Sequence, residues 1–143
     1  MPASRNDPYG AFNFIVEIDG LTVAGFSECS GLTVETAVIE YREGNEPGRV
    51  RKLAGLTKFA PITLKRGLTQ NRDLWNWYKN IMNGAADRRN GSIVLLGNDH
   101  TPVARWNFTN GWPAKWEGPH LKAKGNEVAI ETLEIEHEGL EYE

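Results

Sequence analysis

Cysteine is nearly absent. Cys29 is the one thiol in 143 residues, so no disulfide within the chain is possible and a reducing compartment is expected. Long apolar runs are missing as well. The longest, Ile93-Val94-Leu95-Leu96, is strand-sized, far below the roughly 20 residues a membrane helix needs. The amino terminus shows no apolar core, so no secretory signal is expected. There is no basic excess: 16 Lys and Arg stand against 19 Asp and Glu, a net charge of -3, which disfavours a dedicated nucleic-acid binder. His100, His120 and His137 lie far apart and no cysteine pair accompanies them, so no metal-ligand spacing exists.

Catalytic signatures are missing too. Gly25-Phe26-Ser27-Glu28-Cys29-Ser30-Gly31 resembles a nucleophile elbow only superficially, because that turn needs glycine on both flanks of the nucleophile's neighbours in the pattern G-x-S-x-G and position 29 is cysteine. No residue pattern nominates a base for Cys29. Glycines number 15, yet no glycine-rich loop leads from a strand into a helix with a trailing lysine, so phosphate binding is unsupported. No catalytic, cofactor or metal residue is expected, and the chain reads as a non-enzyme.

What is present is a period of two. Hydrophobic residues make up 40% and charged residues 24%, values of an ordinary globular domain, and the length suits a single domain over residues 1–143. In residues 11–18, Phe12, Phe14, Val16 and Ile18 share a face. Asp19-Gly20 then suggests a type I′ turn, with residues 21–26 returning as a hairpin. Residues 32–42 alternate again, Val34 and Val38 against Ile39 and Tyr41. Residues 43–48 form a turn cluster with nothing to bury, so a hairpin over about 42–55 should project. Residues 59–68 form a strand that Pro61 starts or places at an edge. Residues 92–96 and 103–108 form a hairpin across Gly97-Asn98-Asp99, and 112–116 is a short strand at best. In 127–137, Val128 and Ile130 are out of phase with Leu133 and Ile135, which calls for a bulge near Glu131-Thr132 or a strand passing between sheets.

One segment has helical spacing. Leu74, Trp75, Tyr78, Ile81 and Met82 make an amphipathic stripe in a helix over about 70–83, with Thr69 or Asn71 to cap it and Asn83-Gly84 to end it. Three to four turns are not stable alone, so the stripe must pack on something. Leu74, Tyr78 and Ile81 should cover the chain's own sheet, while Trp75 or Trp77 could reach a neighbouring subunit. The predicted fold class is mainly β: an antiparallel sandwich or barrel-like domain with one flanking helix.

Charge is unevenly placed. Residues 49–89 hold ten basic residues, interrupted by Asp73 and Asp87 alone, whereas residues 127–143 hold seven glutamates and no Lys or Arg. Two readings fit: solvated faces that neutralise each other within a subunit, or opposite poles suited to head-to-tail stacking. Trp106, Trp112 and Trp116 likewise allow two: core filling, or an aromatic platform for sugar rings, as in a small β-sandwich carbohydrate-binding module.

An ordered set of short stretches resembles the tail-tube protein family of contractile phages and phage-tail-like injection particles. The pieces are Asp7-Pro8-Tyr9-Gly10 before Phe12-Asn13-Phe14, the 25–32 segment, Ile39-Glu40-Tyr41-Arg42-Glu43-Gly44, and Arg49, Lys52, Leu53 and Gly55. Then come Ile62-Thr63-Leu64-Lys65-Arg66-Gly67, Leu74-Trp75 and Trp77, Trp106-Asn107-Phe108, Trp112-Pro113 and residues 126–131. The resemblance implies packed antiparallel sheets with one helix, and subunits that form hexameric rings stacked into a hollow tube inside a contractile sheath. It implies baseplate or initiator, tape-measure and cap proteins as partners, and DNA or an effector in the lumen. Synthesis and assembly in the bacterial cytoplasm, ending in a virion or released particle, would follow. Glu43, Glu46, Arg49, Arg51 and Lys52 on the projecting hairpin, with Trp75 and Trp77, are the expected contacts between subunits or rings. Glu134, Glu136 and Glu138 are candidates to line the lumen, where negative charge would keep acidic cargo from sticking.

Overall fold

The computed structural model describes residues 7–21, 25–45 and 48–143. Its elements run β1 (Phe14–Ile18), β2 (Phe26–Ser30), β3 (Val34–Tyr41), β4 (Arg51–Phe59), β5 (Ile62–Gly67), α1 (Asp73–Met82), β6 (Arg89–Leu96), β7 (Pro102–Glu117), β8 (Ile130–Glu136) and β9 (Gly139–Tyr142). Every pairing among them is antiparallel. Seven strands form one sheet in the order β1-β6-β7-β8-β5-β2, with β9 also on β7, while β3 and β4 pair with each other as a separate ribbon.

The long strand β7 organises the sheet. Its first half pairs with β6 and β9, and its second half, from Trp112, pairs with β8. The sheet thus has two halves, β1-β6-β7-β9 and β7-β8-β5-β2, and their apolar faces make one core. Val16, Ile18, Ile93 and Phe108 come from the first half, Ile62, Leu64, Leu133 and Ile135 from the second, and Leu74 and Trp77 from α1. In β5 and β8 every second residue is buried, the period that one-sided packing of a sheet demands. Full burial of each such side chain contributes about 1.5 to 3 kcal/mol. The fold class is the one expected from the alternation.

Three local expectations are corrected. The β1 strand is not followed by the type I′ turn expected at Asp19-Gly20. It pairs with β6, Phe14 opposite Leu95 through Ile18 opposite Gly91, which sets Val16 against Ile93 in the core; β2 begins at Phe26 and pairs with β5. Residues 22–24 of the expected return strand lie outside the described residues. The turn itself is closed by Leu21 N–H donating to the Ile18 carbonyl at 3.0 Å. Gly20 has a φ of 74° and Asp19 is not in that region, whereas a type I′ turn needs positive φ at both.

The expected short strand at 112–116 is the second half of the 16-residue β7. The phase slip in 127–137 has a different cause from a bulge. The β5–β8 register is unbroken from Gly67 opposite Ile130 to Ile62 opposite Ile135; Val128 precedes the strand and is exposed, and a charged residue, Glu131, occupies an inward position. The strand that passes between sheet halves is β7.

The helix starts later than expected, at Asp73, and its N-cap position is Arg72, which makes no side-chain cap hydrogen bond. Thr69 and Asn71 shape the turn before it: Thr69 Oγ1 accepts from the Asn71 N–H at 3.2 Å and Asn71 Oδ1 from the Asp73 N–H, the first of the helix, at 2.8 Å. Its end is held by Asn83 and Gly84 N–H groups donating to Lys79 and Ile81 carbonyls. No helix among the described residues is long and apolar enough to cross a membrane.

Candidate assembly surface

The projecting hairpin is the outer part of a longer ribbon. β3 and β4 pair from Val34 opposite Phe59 at the root to Tyr41 opposite Arg51 near the tip, with one register shift between Thr36 and Val38. Strand alternation places Val34, Thr36, Val38 and Glu40 on one face and Glu35, Ala37, Ile39 and Tyr41 on the other. All eight residues of β3 are exposed. On β4, Leu53 and Leu56 are exposed as well, Leu56 at 79%. Apolar side chains therefore stand exposed on both faces of the ribbon beyond its root, where Phe59 packs against His137, although β-strands bearing Val, Ile, Leu and Tyr normally cover something.

The charges on the ribbon are sorted by strand. Glu35 and Glu40 of β3 lie opposite Lys58 and Lys52 of β4. Glu43, Arg49, Arg51 and Lys52 are exposed at the tip; Glu46 falls outside the described residues. The Thr36 and Thr57 hydroxyls share a hydrogen bond of 3.0 Å across the strands. A two-stranded ribbon of this kind is marginally stable alone.

The two tryptophans expected at a contact behave differently. Trp77 is corrected: it is 1% exposed, sits in the core, and donates Nε1–H to the Asp87 carbonyl at 2.8 Å. Burial on that side of α1 leaves it no outward face. Trp75 is half-buried and packs edge-on against Trp116, ring centres 4.9 Å apart, at a cleft also lined by Leu68, Arg72 and Glu131.

Trp106, Trp112 and Trp116 do not form one platform. Trp106 stacks on Tyr142 at 5.3 Å, Trp116 meets α1 through Trp75, and Trp112 lies beside Ile81, Ala85, Ala86 and Arg88. Trp106 and Trp112 stand on either side of the left-handed Asn110, the one in the half of β7 paired with β6 and β9, the other in the half paired with β8.

The acidic and basic stretches partly neutralise each other within the chain. Arg88 binds Glu138 at the surface, and Arg66 Nε lies 2.5 Å from Glu131 Oε1 inside the sheet. Glu134 and Glu136 occupy the outward positions of β8, opposite Lys115 and Trp112 of β7. Glu138 follows β8 and is turned to Arg88.

Two residues went unnoticed in the sequence. Glu131 is buried, receiving Arg66 Nε–H on one oxygen and Trp116 Nε1–H on the other. His137 is also buried, its Nδ1 3.0 Å from the Gly139 carbonyl oxygen and its Nε2 3.0 Å from that of Ala60. The available signal was parity: Glu131 and His137 are in phase with Leu133 and Ile135, as Arg66 is with Ile62 and Leu64.

The single thiol is not poised for chemistry. Burial pushes the Cys29 thiol up to about 11, so it stays protonated at neutral pH and is a poor nucleophile. Among the described residues no three His, Cys, Asp or Glu side chains are grouped to hold a metal ion.

Comparison with known proteins agrees with the fold. A chain of the anti-feeding prophage baseplate superposes with a TM-score of 0.87 at 25% identity, covering 96% of this chain and 97% of that one. A chain of the sheath/tube terminator of the extracellular contractile injection system PVC gives 0.88 at 25% identity, covering 98% and 99%. Hcp1 from Flavobacterium johnsoniae, at 17% identity, shares the fold, with a TM-score of 0.59 over 92% and 94% of the two chains. No curated protein sequence matches the chain. The family profile described as T4-like virus tail tube protein gp19 matches residues 10–141, and the chain accordingly belongs to the T4-like tail tube protein family.

Proposed function

We propose that this tail tube protein is the repeating subunit of the rigid inner tube of a contractile injection system, forming hexameric rings that stack around an open lumen. The β3–β4 ribbon carries the reading: both of its faces bear exposed apolar side chains, and covering them requires another copy. The anti-feeding prophage relative belongs to a baseplate solved with six-fold symmetry, which supports a six-membered ring here.

The physical division of labour within the contact is as follows. Exposed ion pairs such as those of Glu43, Arg49, Arg51 and Lys52 contribute about 0 to 1 kcal/mol each. Covering a half-exposed Val, Ile or Leu contributes about 1 kcal/mol, and Val34, Val38, Ile39, Leu53 and Leu56 supply five of them. The apolar residues set affinity and the charges set register. Among the described residues β1, β2 and β9 each pair along one edge; a free edge is a pairing template, and joining edges around a ring uses it. A contact within the ring closes by rotation, whereas a ribbon reaching the next ring repeats without closing and gives a filament.

Sheath, baseplate or initiator, tape-measure and cap proteins are the expected partners, with an effector or DNA as cargo. Glu134 and Glu136, outward on β8, are the candidate lumen carboxylates, with Glu138 beside them. Electron microscopy of the purified protein, alone and with its baseplate, tests the reading. Rings or tubes support it; a strict monomer under both conditions, or one that binds oligosaccharide, overturns it.

A further inference from the structure

The ribbon face that carries Ile39 also carries Leu56. The β3–β4 register shifts by one between Thr36 and Val38, so Gly55 and Leu56 of β4 both lie against Ala37, a bulge that turns the two to one side. Gly55 has no side chain to fill that place. A Cβ on it would come within 3.2 Å of Ile39, so Ile39 lies across the glycine. The result is one apolar patch of Ile39, Leu53 and Leu56, with Leu56 the most exposed at 79%. Glu35 opposite Lys58 bounds it towards the root, and Tyr41 opposite Arg51 towards the tip. Leu56 stands three residues out from Phe59, about 10 Å along the strand.

The same chain has a hollow to match. Leu68, Trp75 and Trp116 wall a cleft of about 290 Å³ whose remaining lining is Arg72 and Glu131. Trp75 and Trp116 meet edge-on, and Glu131 holds the Trp116 Nε1–H, so the walls are set before anything enters, which lowers the cost of binding. Arg66 neutralises Glu131, which leaves the exposed Arg72 to give the cleft its positive charge. A second apolar cleft, lined among others by Phe14, Cys29, Leu32 and Trp106, suits a visiting ribbon less well. Leu32 lies two residues before β3, so the chain's own ribbon rises from the rim, and the charged lining residue, Glu28, is already paired with Lys65.

We propose that Leu56 of one copy enters the Leu68–Trp75–Trp116 cleft of a second copy, with Glu35 brought to Arg72. A protruding apolar side chain and an apolar pocket at different places on one molecule make a heterologous contact, and such a contact repeats from copy to copy. The apolar insertion supplies affinity, and the carboxylate–guanidinium pair fixes which way the ribbon lies in the cleft. This deepens the tube reading above by naming where the ribbon lands, and rests on that reading only for the claim that the repeat builds a tube.

Two variants of a Cys29→Ser chain test the contact, Leu56→Cys in one and Leu68→Cys in the other. Mixed and treated with a short bismaleimide, they should give dimers of one of each chain, read by mass. Ile15→Cys, on β1 in the other half of the sheet, should give none in place of Leu68→Cys. No one-of-each dimer, or an equal yield with Ile15→Cys, overturns the docking. If Leu68→Cys does not fold, Arg72→Cys takes its place at the exposed side of the cleft. Leu56→Ala, whose side chain touches water in the single chain, should raise the protein concentration needed for assembly about tenfold; an unchanged concentration overturns the docking as well. Tubes without the dimer leave the tube reading standing and sink the docking, whereas the dimer without tubes does the reverse.

Discussion

Arg66 Nε and Glu131 Oε1 are 2.5 Å apart with both side chains 4% exposed, an ion pair sealed between β5 and β8 where the alternation of those strands calls for aliphatic residues. Trp116 holds the other carboxylate oxygen, and the Arg66 guanidinium lies over the Phe26 ring, 5.5 Å from its centre. Removing one partner leaves a buried charge unmatched. Glu131→Ala should therefore cost about 3 kcal/mol, while Arg66→Met with Glu131→Leu should recover most of that loss. Urea unfolding of the three proteins checks it; a single variant as stable as the parent would contradict the pair's role.

The ribbon should behave in the opposite way. Ile39→Asp and Leu53→Asp replace side chains that touch water in the single chain, so stability should change by no more than about 0.5 kcal/mol. Assembly should be lost, since the same carboxylates would be buried between copies. Deleting residues 44–52 should likewise leave a folded chain that cannot lengthen into tubes. Thermal unfolding alongside electron microscopy separates the two effects; normal tubes from the deletion would remove the ribbon from the mechanism.

Acid should loosen the end of α1. Two hydrogen bonds from Arg89, Nε–H to Oδ1 and Nη2–H to Oδ2 at 3.0 Å, followed by one from Asn80 at 2.9 Å, hold the Asp87 carboxyl below its ordinary value of 3.8 against a smaller opposing effect of burial. A carboxyl lowered by folding adds stability that is complete above the unfolded value and is lost as pH falls through the folded one. The melting temperature of the parent should thus fall further between about pH 5 and about pH 2 than that of Asp87→Asn. Equal slopes would show that the cluster adds nothing.

Gly111 tests the fit of the core. A Cβ at this position would come within 2.5 Å of the Phe108 ring and 3.1 Å of Ile135. Gly111→Ala should cost about 1 to 3 kcal/mol through overpacking, and Phe108→Leu in the same chain should relieve part of it. Chemical denaturation of the single and double variants reads the coupling.

Much of the fold could be read from residue alternation. Ile62 and Leu64, Val16 and Ile18, and the β6–β7 hairpin across Gly97-Asn98-Asp99 stand where the pattern placed them, because each strand buries one face and period two is the direct trace of that. The α1 helix was legible in part: Leu74 packs inward as expected, and of the two tryptophans expected at a contact Trp77, three residues on from Leu74 and on the same face, packs inward with it. Pairing partners were less legible. Asp19-Gly20 marks a turn, but no local signal names β6, over 70 residues on, as a partner of β1. The buried Glu131 and His137 were hidden for another reason: polar side chains in or beside a strand normally mark the wet face, and here Arg66, Glu131 and His137 all lie on the dry one. The exposed side of the ribbon was readable as a projection, while its full extent, back to Val34 and Phe59, follows from cross-strand register that no single segment encodes.

The length of β7 has a mechanical corollary. Its sixteen residues are hydrogen-bonded first into one half of the sheet and then, past the left-handed Asn110, into the other. The halves cannot shear apart by sliding one apolar face over its opposite; the covalent chain itself ties them. A thrust applied at one end of such a subunit is carried to the far end through peptide bonds and ladder bonds in series, so the piece advances as a stiff block rather than a folding hinge.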